Sequence, residues 1–263
     1  MGAAKRTSHL LRNGDLRIKV FAEGEGPLVL MLPSARRGQE DFDEVAEGLA
    51  ASGFRVLRPE PRGIGLSSKG PTSGITLHDL ANDTAAVIRH ENAGPAVVVG
   101  HAFGHYVARM TAVDHPDLVR GVVLAAAASK TVAPEVSVVF RKAIDLTLPE
   151  QERIAAIAFC FFAPGHDASI WSGGWSTDAA EVQAEAIRNT QREEWWGAGS
   201  APVLDLRAEF DPFRPAASHE ENKADLGAHR VTPVLIPNAS HGLFCEQPKA
   251  IVDAIVPWVK ALP

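Results

Sequence analysis

The stretch Val97-Val98-Val99-Gly100-His101-Ala102-Phe103-Gly104-His105 has the residue types and spacing of a turn that presents one side chain for reaction. Its three valines read as a buried strand, and its two glycines bracket a tight turn into an amphipathic helix from about Phe103 to His115. In a Gly-x-Ser-x-Gly turn of this shape, a strand bends sharply into a helix and holds the central side chain up at the end of a sheet. Glycines flank that residue because the turn is strained and the helix sits close to neighbouring strands. Here the central residue is Ala102, which carries no nucleophile. The stretch therefore predicts where a site lies and says less about its reaction.

Other chemistries have weaker support. The ten histidines show no His-x-x-His or similar spacing, so no metal is expected. Arg62 to Gly65 is glycine-rich, but it lacks the Lys-Ser/Thr of a phosphate loop and does not match the dinucleotide fingerprint, so no cofactor is expected either. Cys160 and Cys245 lie far apart and read as free thiols in a reducing compartment. A net charge of −6 with no basic block argues against nucleic acid or an anionic membrane as partner. No apolar run is long enough to span a bilayer, and the polar stretch Met1 to Ser8 shows no secretory signal. The expectation is a cytoplasmic protein, monomer or homodimer, with a small molecule as its partner. At 263 residues, 46% apolar, the chain suits one α/β domain with an insertion, or two small domains.

Strands and helices alternate around the turn. Leu10–Arg12 and Leu16–Ala22 flank Asn13-Gly14-Asp15 as a hairpin, and Leu28–Leu32 is a continuous apolar strand of the kind buried on both faces. Asp41, Asp43 and Glu44 open a helix that Gly53 stops, and Phe54–Leu57 is the next strand. A helix over Thr76–Glu91 precedes the valine strand, and Val119–Ala126 is the strand after the turn's helix. From Ser129 to Ser200 the strand signal disappears, while Trp171, Trp175, Trp195 and Trp196 concentrate there. Alternation resumes with a strand at Pro202–Arg207, a helix at Pro215–Leu226, a strand at Arg230–Ile236 and a helix at Pro248–Leu262 that Pro257 should kink. The predicted division is residues 1–128 and 201–263 as an α/β core, with 129–200 as a helical cap over the strand ends.

Four segments resemble the α/β-hydrolase superfamily, over essentially the whole chain. They are Gly100-His101-Ala102-Phe103-Gly104, the loop Glu60-Pro61-Arg62-Gly63-Ile64-Gly65-Leu66-Ser67, Asp211-Pro212, and Ala239-Ser240-His241-Gly242. The second is similar to the family's Asp-x-Arg-Gly-x-Gly-x-Ser loop, with Glu60 in place of the usual Asp. The resemblance implies an eight-stranded, mostly parallel sheet with helices on both faces and a cap of the esterase, C–C hydrolase or epoxide-hydrolase kind.

The resemblance also implies roles. The family's triad runs nucleophile, acid, histidine, which makes Ala102 the nucleophile's position, Asp211 the acid and His241 the base. The plainer alternatives are that Asp211 caps a turn before Pro212 and that His241 is a buried structural histidine; the match of both segments to the family favours the triad roles. The backbone N–H groups of Phe103 and, near the end of the first parallel strand, Ala35 would form the oxyanion hole. Pro33-Ser34 stands where the family usually has His-Gly, and Pro33 removes one donor. Ser34, His101 and the four cap tryptophans Trp171, Trp175, Trp195 and Trp196 are the candidate pocket residues. Arg36 and Arg37 either attract a carboxylate or are simply solvated, His105 reads as a surface group, and Cys245 as a buried thiol.

Alanine at the turn leaves three readings open. The chain is an inactivated serine form of an enzyme hydrolysing an ester or related bond of a small apolar substrate. Or alanine is native and the Asp211–His241 pair works alone, cofactor-free, in a hydrolytic or lyase-type reaction. Or the protein is a small-molecule binder without catalysis. Removing a triad member leaves only ~10³–10⁴-fold acceleration from the oxyanion hole and binding.

Overall fold

The computed structural model describes residues 6–263; Met1 to Lys5, part of the stretch read as lacking a secretory signal, lie outside it. The core is an eight-stranded sheet in the order β1-β2-β4-β3-β5-β6-β7-β8. Strands β1 (Thr7–Asn13) and β2 (Leu16–Glu23) form the hairpin around Gly14, and β2 pairs antiparallel with β4 (Arg55–Pro59). The rest is parallel: β3 (Leu28–Leu32), β5 (Ala96–His101), β6 (Val119–Ala125), β7 (Val203–Ala208) and β8 (Val231–Ile236).

Alternation along the central strands builds two cores. Val29, Met31, Val97, Val99 and Val123 face one layer, with α1 (Asp43–Ala51) and the C-terminal helix; Leu30, Val98, Val122 and Leu124 face the other, with α2 (Leu77–Glu91) and α3 (Gly104–Asp114). Thr76 and Asp79 close a capping box on α2, which fixes its start where the sequence placed it.

Between β6 and β7 the chain leaves the sheet as α4 (Pro134–Ala143), α5 (Glu150–Phe161), a 3₁₀ turn at Ala168–Trp171, α6 (Thr177–Arg188) and α7 (Arg192–Trp195). A small core of its own, with Ile157, Cys160, Phe161, Phe162, Trp171 and Trp175, holds much of this excursion together.

Two elements differ from expectation. The predicted helix over Pro215–Leu226 is broken into a 3₁₀ turn at Ala216–Ser218 and α8 (Glu221–Leu226). The His219 carbonyl accepts N–H groups from Arg207 (2.9 Å) and Arg214 (3.2 Å), side-chain donors in place of a helical one. After β8, one turn of helix, α9 (Leu243–Glu246), precedes α10 (Pro248–Ala261), which continues through Pro257.

Candidate active site

The turn after β5 is held by close approach. A Cβ at Gly100 would lie 2.5 Å from the Gly104 carbonyl oxygen, and one at Gly104 would lie 2.3 Å from the Leu32 carbonyl oxygen. Only glycine fits at either place, so α3 can abut β3 and β5. Ala102 sits between them at φ 47°, a left-handed backbone that costs an alanine ~1–2 kcal/mol. Its N–H donates to the Ala125 carbonyl at 2.9 Å and its own carbonyl accepts from His105 at 3.0 Å, which holds the strained residue in place.

Asp211 and His241 come from the loops after β7 and β8 and meet. Nδ1 of His241 and Oδ2 of Asp211 are 2.9 Å apart, with both side chains buried. An ionised carboxylate can only accept, so Nδ1 is the donor in this pair, and in the neutral imidazole Nε2 is the nitrogen with the lone pair. The second oxygen of Asp211 accepts the N–H of Phe213 at 2.9 Å. The carboxylate therefore both caps its turn and orients the imidazole.

The His241 loop is fixed on several sides. His101 Nε2 donates to the His241 carbonyl at 2.7 Å, Gly242 N–H donates to the Phe161 carbonyl at 2.6 Å, and Ser240 N–H donates to the Glu246 carboxylate at 2.7 Å. Glu246 also accepts the Ala163 N–H, so it ties the loop to the end of α5. Burial raises the Glu246 pKa. Burial and the neighbouring His241 push His101 down to about 3, so it stays neutral.

A cavity of about 300 Å³ lies over these groups, lined by Ser34, Ala35, Arg36, Ala102, Phe103 and His241 on the sheet side. Phe140, Phe161, Trp175, Gln183 and Ile187 close it from the helical excursion, and Phe213 from the loop that carries Asp211. The walls are mainly apolar. Ala102, Phe103, Ala35, Ser34, His241 and Trp175 all line this one cavity, with Asp211 hydrogen-bonded to His241.

Four expected pocket residues are elsewhere. His101 is fully buried beneath His241 and acts as a backbone donor, because strand alternation turns it away from the cavity. Trp171 lies behind Trp175, sandwiched between His101, Phe161 and the Arg37 guanidinium. Trp195 and Trp196 line a second cavity of about 310 Å³, which shares His105, Tyr106, Ala128 and Ile187 with the first. His105 is no surface group: it is 1% exposed, neither ring nitrogen has a partner, and burial holds its pKa well below 6.5. Arg37 is buried against Asp41 rather than solvated. Cys245 is only partly buried; its thiol and that of Cys160 are pushed by burial up to about 12, which makes both poor nucleophiles at neutral pH.

A family model described as the alpha/beta hydrolase fold matches residues 27–159. The chain belongs to the α/β-hydrolase family. This hydrolase-fold chain is 34% identical over 110 residues to 2-(acetamidomethylene)succinate hydrolase of Mesorhizobium japonicum, a match spanning 42% of the chain and 39% of that relative. Epoxide hydrolase B of Mycobacterium tuberculosis is 35% identical over 100 residues, spanning 38% of the chain and 28% of the relative. The chain thus matches well under half the length of either.

Solved structures share the fold over nearly the whole chain. A crystal structure of E-2-(acetamidomethylene)succinate hydrolase superposes with a TM-score of 0.78 at 23% identity, covering 98% of this chain and 100% of that one. An esterase from Exiguobacterium antarcticum gives 0.76 at 20% identity, covering 94% and 96%.

Among the described residues, no group of three or more His, Cys, Asp or Glu side chains is arranged to hold a metal, and no helix is long and apolar enough to cross a membrane. Gln183 and Glu246 were not singled out from the sequence. Glu246 lies five residues beyond His241, close enough to have suggested a role in its loop; Gln183 gave no such signal.

Proposed function

We propose that this chain is an enzyme of the hydrolase fold in which Asp211 and His241 act as a general base without a covalent intermediate. The substrate is a small, largely apolar molecule, and the bond cleaved is an ester or a related carbonyl-derived bond. The observation that carries the reading is the 2.9 Å Asp211–His241 hydrogen bond, which leaves Nε2 as an acceptor on a cavity also lined by the Ala102 methyl. In the step proposed, Nε2 takes a proton from water as the oxygen adds to the carbonyl carbon. The carbonyl oxygen becomes an oxyanion that accepts from the N–H groups of Phe103 and Ala35. Collapse expels the alkoxide, which takes the proton back from the imidazolium, and acid and alcohol leave. With a methyl at position 102 there is no hydroxyl to compete with water. Residues 129–200 serve as the cap, and their aromatic side chains favour an apolar acyl or alcohol group. The hydrolase relatives support bond hydrolysis as the reaction class.

The left-handed backbone at Ala102 favours a second reading, in which the turn is shaped for a serine and the alanine form binds substrate without turning it over. Turnover of a panel of neutral aryl esters separates the two. The base mechanism predicts slow turnover without a burst, reduced ~10²–10⁴-fold in His241→Ala. Turnover equal in the unaltered protein and His241→Ala, with activity appearing in Ala102→Ser, would establish the second reading.

A further inference from the structure

Arg36 and Arg37 are neighbours in the chain with opposite surroundings. Every nitrogen of the Arg37 guanidinium has a partner: Nε and Nη2 donate to the two oxygens of Asp41 at 2.9 and 2.6 Å, Nη1 donates to the Gly173 carbonyl at 2.6 Å, and the guanidinium lies 4.5 Å over the Trp171 ring. Arg36 lines the cavity of Ala102 and His241 and has no such partners. Among the described residues its guanidinium meets no acceptor and no carboxylate. Burial alone lowers its pKa, with no acidic neighbour to raise it. No residue lining that cavity is Asp or Glu, and Arg36 is the one permanent charge among them.

The Arg36 backbone is held in an unusual place. It has φ 64°, a left-handed conformation in which glycine would be relaxed and arginine is not. Two contacts from the helical excursion hold it there: its N–H donates to Oε1 of Gln183 at 2.9 Å, and its carbonyl accepts the Ser176 N–H at 2.9 Å. Strain kept in place from outside the loop is a feature of ligand-binding positions.

We infer that the substrate carries a carboxylate, and that the Arg36 guanidinium pairs with it inside the cavity. A partly desolvated cation in apolar surroundings gains most from a single, planar, bidentate anion. A doubly charged phosphate would leave one charge uncompensated in a space of about 300 Å³ with a single cation. The substrate is then an ester or related compound with an apolar body and a free carboxylate elsewhere on the same small molecule. This inference rests on the reading of the Ala102–His241 cavity as the substrate site.

The test reads binding, so it does not depend on turnover. Calorimetry compares 3-phenylpropanoate with its neutral isostere 3-phenylpropanamide, in the unaltered protein, Arg36→Gln and Arg36→Lys, each checked for an unchanged melting temperature. The expected result is a carboxylate preference of at least tenfold, strongest at low salt, abolished by Arg36→Gln and partly kept by Arg36→Lys, with amide affinity unaltered throughout. Equal binding of the two probes, no binding of either, or a preference that survives Arg36→Gln overturns the inference. Neutral ester turnover in the same proteins reports separately on the general base, so the failure of one reading is distinguishable from the failure of the other.

Discussion

The turn after β5 and the loops after β7 and β8 meet at one cavity, but they retain different things. The turn keeps its shape in full: two glycines without room for a Cβ, a left-handed residue between them, and a helix starting at once. It lacks the reactive atom that such a shape serves. The loops keep both shape and chemistry, since Asp211 orients His241 while Glu246, Phe161 and His101 fix the backbone around it. Backbone geometry and reactive groups are therefore separable here. The turn is maintained by packing that is needed whether or not residue 102 reacts; the paired imidazole and carboxylate have no comparable structural need of each other's precise orientation.

Restoring the missing atom tests that contrast most strongly. Ala102→Ser places a hydroxyl on a turn already in shape beside a base already oriented, and should raise turnover of activated esters ~10²-fold or more, with an acyl-enzyme burst in pre-steady-state kinetics. No gain would mean that the difference extends to the loop after β3, where Pro33 removes a donor.

Acid should expose the link between the two regions, because His101 belongs to β5 yet holds the His241 carbonyl. Its folded pKa of about 3 lies below the unfolded value near 6.5, so the unfolded chain binds the extra proton between those pH values. Stability then falls as pH drops below 6.5, by about 2 kcal/mol between pH 7 and pH 5 for one such histidine. His105 acts in the same direction. Urea unfolding at the two pH values should show this loss, and His101→Asn should remove its share.

The smallest effect concerns strain alone. Ala102→Gly relieves a left-handed alanine at some cost in chain entropy, for a net gain of about 0.5 kcal/mol, read as a rise of about 1–2 °C in melting temperature. A fall would show that the methyl contributes packing that outweighs the strain.

Much of this arrangement was legible in the residues. The parallel strands are continuous apolar runs, and Asp211 and His241 follow the turn in the order the resemblance implies. Side-chain direction was not legible. His101 and His105 flank the alanine at short spacing, yet strand and helix geometry send both into the interior. Trp171, Trp175, Trp195 and Trp196 all lie in the excursion between β6 and β7, but which ring faces which cavity depends on how α5, α6 and α7 settle on the sheet. The break before α8 came from guanidinium groups of Arg207 and Arg214, distant enough in sequence or unusual enough in role that no local pattern records it.

The excursion between β6 and β7 holds the strand-end loop after β3 at three points: Ser176 and Gln183 on the Arg36 backbone, and Gly173 on the Arg37 guanidinium. Lifting those helices as a unit would have to break the two bonds on the Arg36 backbone and the one on the Arg37 guanidinium together. The side cavity of Trp195 and Trp196 shares His105, Tyr106, Ala128 and Ile187 with the first and touches none of those three ties, so a change there leaves the fastening of the loop intact.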